Sequence, residues 1–125
     1  MSRTMQTLCK ALSDENRLRI AYLLAGSDAC VCELADALDL PQSTLSNHLG
    51  KMRDSGLLQT RKDGTWIYYQ LSDARRPQIE AIFSSFEGEL STDDKLKQDQ
   101  ERFGKRLRMR IDGRCNRSYG QLKDN

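Results

Sequence analysis

The chain has 125 residues, 38% of them hydrophobic and 30% charged, and a formal net charge of +2. That is one domain's worth of chain, and so small a net charge announces no polyelectrolyte partner, so any nucleic-acid argument must come from local charge. No run approaches the ~18 apolar residues of a membrane span, and residues 1–10 lack an apolar signal segment, so no membrane partner and a cytoplasmic location are expected. Four cysteines in such a setting are expected to be reduced and open to metal or redox chemistry, not stapled.

Ser13-Asp14-Glu15-Asn16 predicts a helix start, with Ser13 as cap and two acids at the positive end of the helix dipole. Leu18, Ile20, Leu23 and Leu24 supply its apolar positions, and Gly26-Ser27-Asp28 ends it. A second short helix buries Leu34, Ala35 and Leu38; Asp39-Leu40-Pro41 then turns the chain, because the residue before a proline leaves helical space. From Gln42 to Ser55, Leu45, Leu49 and Met52 recur at helical spacing, which leaves Ser43, Thr44, Asn47 and Lys51 on the far side. The period then changes. Leu58 to Lys62 and Thr65 to Leu71 flank Asp63-Gly64, a strong hairpin signal. Ile67, Tyr69 and Leu71 are expected to face the core, with Trp66 and Tyr68 facing the other way.

Pro77 stands near the start of a further helix whose stripe is Ile79, Ile82, Phe83, Phe86 and Leu90. Beyond Ser91 charge dominates: Arg102, Lys105, Arg106, Arg108, Arg110, Arg114 and Arg117 give seven basic residues in sixteen. The division expected is a reading and dimerising unit over 1–90 and a charged, solvated, partly helical extension over 91–125.

Helix, tight turn, helix and hairpin make a mainly α fold with a β-hairpin, a winged helix-turn-helix in outline. Its second helix would enter the major groove of double-stranded operator DNA while the hairpin touches the flanking backbone. Gln42 suits adenine, Ser43 and Thr44 suit either base type, and Lys51 suits phosphate or guanine. Asn47 shares that face, His48 is placed for packing or a phosphate, and Arg61 and Lys62 are placed to hold the backbone. One such helix contacts few bases, so a homodimer on two half-sites about 34–36 Å apart is expected. Its surface would be the terminal helices: the 79–90 stripe with Leu8 and Leu12.

These residues carry a resemblance. The stretch from Leu8 to Leu71 resembles the ArsR/SmtB family of metal-responsive repressors. Leu12 to Ile20 looks like its first long helix, Ser43-Thr44-Leu45-Ser46-Asn47-His48-Leu49 its recognition helix, and Asp63-Gly64 through Leu71 its wing. Ala29-Cys30-Val31-Cys32-Glu33-Leu34 is similar to the Cys-Val-Cys box of its arsenic and cadmium/lead sensors. The resemblance implies a repressor and not an enzyme. It would need no cofactor to bind DNA and would release it when As(III), or Sb(III), is bound by cysteine thiolates. It also implies a third cysteine three residues after the second, where this chain has Ala35. That leaves Cys115, Cys9, another molecule or no third ligand.

Soft thiolates select soft metals and metalloids, and a helix amino terminus favours the thiolate. Arginines beside Cys115 are expected to do the same. On a regular helix, however, the side chains at 30 and 32 point ~200° apart, so a shared centre requires a helix start that is loose or becomes distorted. The alternatives are a cadmium/lead-responsive repressor and a thiol redox or persulfide sensor in which Cys30 or Cys32 pairs with Cys115.

Overall fold

The computed structural model describes residues 3–122. Helix α1 (Arg3–Leu12) and α2 (Glu15–Leu24) meet at a break that two side chains enforce. Ser13 Oγ donates to Lys10 O at 2.7 Å and closes α1; Asp14 Oδ2 accepts from Arg17 N at 3.0 Å and opens α2. The cap is therefore Asp14, one residue later than expected, because the Ser13 hydroxyl is taken by the preceding helix. Strand β1 (Ala29–Cys30) leads straight into α3 (Val31–Leu38). Asp39, left-handed at φ 53°, and Pro41 then turn the chain into α4 (Gln42–Asp54). Leu45, Leu49 and Met52 are buried as their spacing demands, against Ile20, Leu23, Leu24, Leu34 and Leu38.

Strands β2 (Leu58–Asp63) and β3 (Trp66–Leu71) form the expected hairpin, and β1 adds to β3, giving the order β1-β3-β2. Asp63 pairs with Trp66, so the two-residue loop is Gly64-Thr65, one position beyond the expected Asp63-Gly64. Gly64 adopts φ 62°, a conformation that L side chains avoid. Leu71 and Tyr69 face the main core as expected, but Ile67, nearer the tip, is exposed and Tyr68 is fully buried. The opposite face of the sheet is not open to solvent: the carboxyl-terminal segment covers it.

Helix α5 (Arg76–Ser85) sends Ile79 and Phe83 into the core, where Phe83 meets Tyr22 edge-on at 5.3 Å between ring centroids. Those two members of the expected dimer stripe are thus intrachain core. Ile82 and Leu90 are half-buried, and Phe86 remains exposed between α5 and α6 (Glu87–Thr92).

The last helix, α7 (Asp94–Leu107), differs most from the expected solvated extension. It buries Leu96 and Phe103 and makes two buried ion pairs at 2.8 Å, Asp99 with Arg19 and Arg106 with Asp36. Arg102 donates to Asp36 O at 2.7 Å. Arg106 and Arg110 of the basic run are matched by acids on α3 and just before β1, 70 to 82 positions upstream, which no local charge count can reveal. No helix among the described residues is long and apolar enough to cross a membrane.

Candidate thiol centre and nucleic-acid interface

Cys30 is the last residue of β1 and the N-cap of α3, with φ −83° and ψ 166°, while Cys32 lies inside the helix. The two residues are therefore not on one regular helix. The extended backbone at Cys30 swings its side chain to the side on which Cys32 projects, and their Sγ atoms lie 2.9 Å apart with no distortion of α3. The helix start is not distorted: Cys30 stands in extended backbone just before it.

After α7, residues 108–121 cross over this junction and deliver Cys115. Its Sγ stands 3.0 Å from that of Cys30 and 3.5 Å from that of Cys32. All three are free thiols and buried. Cys9, the other candidate third ligand, lies exposed on α1 and takes no part in this cluster.

Charged groups fix the approach of the segment. Arg110 makes a two-pronged contact with buried Glu33, 2.7 Å on each side, and donates to Asp28 O at 2.9 Å. Glu33 in turn accepts from Cys30 N at 3.1 Å. Asp36 accepts from Arg106 Nε, from Gly120 N at 2.7 Å and from Gln121 N at 3.2 Å, which pins the end of the segment. Tyr68 Oη accepts from Cys115 N at 2.7 Å. Arg114 reaches Asp63, on the wing, at 3.2 Å.

These surroundings raise thiol pKa values. The hydrogen bond with Cys32, then burial, pushes the Cys30 thiol well above its ordinary range. Burial, then the Cys30 contact, raises that of Cys115. The lowering expected from the helix terminus and from the arginines beside Cys115 is overturned at Cys30 and Cys115, where thiol contacts and burial outweigh it.

Helix α4 presents Gln42, Ser43, Asn47 and Lys51 to solvent, with Thr44 and His48 half-buried. His48 Nδ1 points inward without a hydrogen-bond partner. Lys62 is exposed on the wing. Arg61 is not free: it pairs with Asp28 at 2.7 Å and its guanidinium lies 4.4 Å over the Tyr68 ring.

Residues 14–60 match the family described as bacterial regulatory protein, arsR family. The arsenical resistance operon repressor of Staphylococcus aureus is 40% identical over 72 residues, 58% of this chain and 69% of that protein. The chain belongs to the arsR family. Its Escherichia coli relative, an arsenical resistance operon repressor, is 50% identical over 66 residues, 52% of this chain and 56% of the relative. The match thus spans little more than half that protein's length. A homolog of the cadmium resistance regulatory protein CadC from S. aureus is 38% identical over 71 residues, 56% of this chain and 59% of that one. Among solved structures, HlyU from Vibrio cholerae superposes with a TM-score of 0.62 at 34% identity, covering 69% of this chain and 98% of that one. The winged helix-turn-helix is therefore this arsR-family member's fold. The residues that hold its thiol centre in place (Tyr68, Glu33, Arg110, Asp36 and Arg106) carry no such role in the sequence pattern. Only Glu33, three residues after Cys30, carried a local signal.

Proposed function

We propose that the chain is a repressor that binds operator DNA as a homodimer and releases it when trivalent arsenic, or antimony, is taken up by Cys30, Cys32 and Cys115. Residues 1–90 read DNA and dimerise, and residues 91–125 bring the third thiol. The observation that carries this reading is the buried three-thiol cluster.

Its geometry suits a pyramidal centre. With sulfurs 2.9, 3.0 and 3.5 Å apart, an atom ~2.3 Å from each sits about 1.4 Å out of their plane, with S–X–S angles of about 80–100°. Trivalent arsenic, whose lone pair occupies the apex, accepts such an arrangement. Tetrahedral zinc needs sulfurs about 3.8 Å apart and a fourth ligand.

Charge points the same way. Arsenous acid and three thiols give As(SR)3 and three waters: three As–S bonds replace three As–O bonds, each thiol proton leaves with a hydroxide, and arsenic stays trivalent. The product is neutral, as suits a site whose charged neighbours already pair with one another. A divalent cation on three thiolates would bury a net negative charge. The similarity to arsenical resistance repressors supports the same inducer.

Gln42, Ser43, Thr44, Asn47 and Lys51 are the proposed base-reading and phosphate residues, with His48, Lys62 and Arg61 at the backbone. Met5 and Phe86, exposed on the terminal helices, supply apolar surface for the dimer.

The deciding experiment is fluorescence anisotropy on the chain's own promoter DNA, titrated with arsenite under reducing conditions. Arsenite should release the DNA, and Cys30→Ser should bind DNA yet fail to release it. Specific binding that ignores arsenite rejects the inducer. A second reading, oxidation of Cys30 and Cys115 to a disulfide, is favoured by their 3.0 Å separation. It predicts release by peroxide, reversed by dithiothreitol, with no response to arsenite.

A further inference from the structure

We infer that Tyr68 is the positioning residue for the third thiol, so that its hydroxyl, and not its ring, decides whether Cys115 joins Cys30 and Cys32 in one three-sulfur site. The inference rests on the proposed arsenite reading.

Three features place Tyr68 in this role. Its backbone is fixed on both sides by the sheet: Cys30 is its partner in β1 and Arg61 its partner in β2. The ring is fully buried, in a cluster with the three cysteines and packed by Trp66. Two cations bracket it, Arg61 at 4.4 Å and Arg110 at 5.3 Å from the ring centroid, so its plane is held by groups on the wing and on the segment bearing Cys115. The hydroxyl then lies 2.7 Å from Cys115 N. That bond acts on the backbone of the residue whose sulfur must reach Cys30 and Cys32. Arg106 holds the segment again at the carbonyls of Arg117 and Ser118, 2.6 and 3.1 Å away.

The reason for tyrosine over phenylalanine follows. Phenylalanine would fill the same volume and keep both cations, but it would leave the Cys115 amide buried without an acceptor. That penalty falls only on the closed position of the segment, since an undocked segment gives its amide to water.

The test is a double-mutant cycle on the full chain: Tyr68→Phe, Cys115→Ser and the double variant, with arsenite affinity measured under reducing conditions. Tyr68→Phe should weaken arsenite about tenfold, about 1.4 kcal/mol. In the Cys115→Ser background, with no third thiol to place, the same change should cost less than twofold. An equal loss in both backgrounds makes Tyr68 a packing residue and overturns the inference while leaving arsenite as the inducer. An unsubstituted protein that binds no arsenite rejects both. Should Tyr68→Phe not fold, hydrogen exchange of the unsubstituted chain decides. The Cys115 amide must exchange far more slowly than that of exposed Asn116, and equal rates overturn the inference.

Discussion

The charge state of the thiols separates arsenite from a divalent cation. Cys30 has a raised pKa from its hydrogen bond with Cys32 and burial, and Cys115 from burial and its contact with Cys30, so at neutral pH their protons must leave when a metal binds. Arsenous acid brings its own hydroxides, and the net proton change is zero. A cation such as Cd2+ brings none, and every thiol proton goes to solvent. Each released proton is worth about 1.4 kcal/mol, a factor of ten in affinity, per pH unit. For the two raised thiols alone that is about a hundredfold per unit. Arsenite affinity should therefore be flat from pH 6 to 8, whereas cadmium affinity should climb steeply. Above the thiol pKa the arsenite trend reverses, because thiolates displace hydroxide without a proton to neutralise it, and affinity falls as pH rises. Competition anisotropy at pH 6, 7 and 8 reads both slopes, and calorimetry in two buffers of different protonation enthalpy counts the protons directly. An arsenite affinity that falls tenfold per unit between pH 6 and 8 would refute the protonated cluster.

The same shifts affect stability. Acids whose folded pKa is raised contribute fully below the ordinary thiol value of about 8.5 and lose that contribution as pH climbs toward the folded value; the melting temperature should drop above pH 8.5, less so in Cys30→Ser, and parallel curves would contradict the assignment. Asp36→Asn leaves fully buried Arg106 without its counter-charge; a loss of about 3 kcal/mol, on the order of 10 °C in melting temperature, should accompany weaker arsenite binding, and an unchanged melt would mean that the pair is not formed. Lys51→Ala should lower the salt slope of DNA binding by about one unit. Arg61→Ala should lower it by less than half of that, since Asp28 already neutralises Arg61; equal slopes would show that DNA takes Arg61 away from Asp28.

Periodicity made the DNA-reading half legible. Leu45, Leu49 and Met52 share a helical face, and Asp63-Gly64 marks a hairpin to within one residue. Both signals are local, and local signals survive in a bare sequence. What failed was long-range. Tyr68 alternates with Ile67 and Tyr69 and so reads as outward; it is buried only because a segment some 47 positions away crosses that face. The arginines after position 101 read as a solvated tail because their carboxylate partners lie on α3 and before β1. Cys115 was named from its chemistry, but its place beside Cys30 depends on those same pairings.

The pairings also constrain how an inducer reaches the DNA face. Distortion of α3 is not available as the signal, since Cys30 and Cys32 already converge across an undistorted strand-to-helix junction. The proposed signal is closure of the segment 108–121, which touches the wing. Its Arg114–Asp63 contact is two-thirds exposed on the arginine side and is worth less than about 1 kcal/mol. The Tyr68–Cys115 hydrogen bond is buried, and Arg61, stacked on that tyrosine, is held on Asp28 and away from a phosphate. A closed segment that keeps one wing arginine from DNA and fixes the wing's tilt needs only about 2.8 kcal/mol for a hundredfold release, within the usual range of coupling energies. Such coupling is reciprocal: operator DNA must weaken arsenite by the same factor by which arsenite weakens DNA. Arsenite titrations with and without saturating operator measure the first factor and anisotropy the second. Unequal apparent factors would mean that the subunit assembly differs between the two titrations, and closure of this segment within an intact dimer would not be the whole signal.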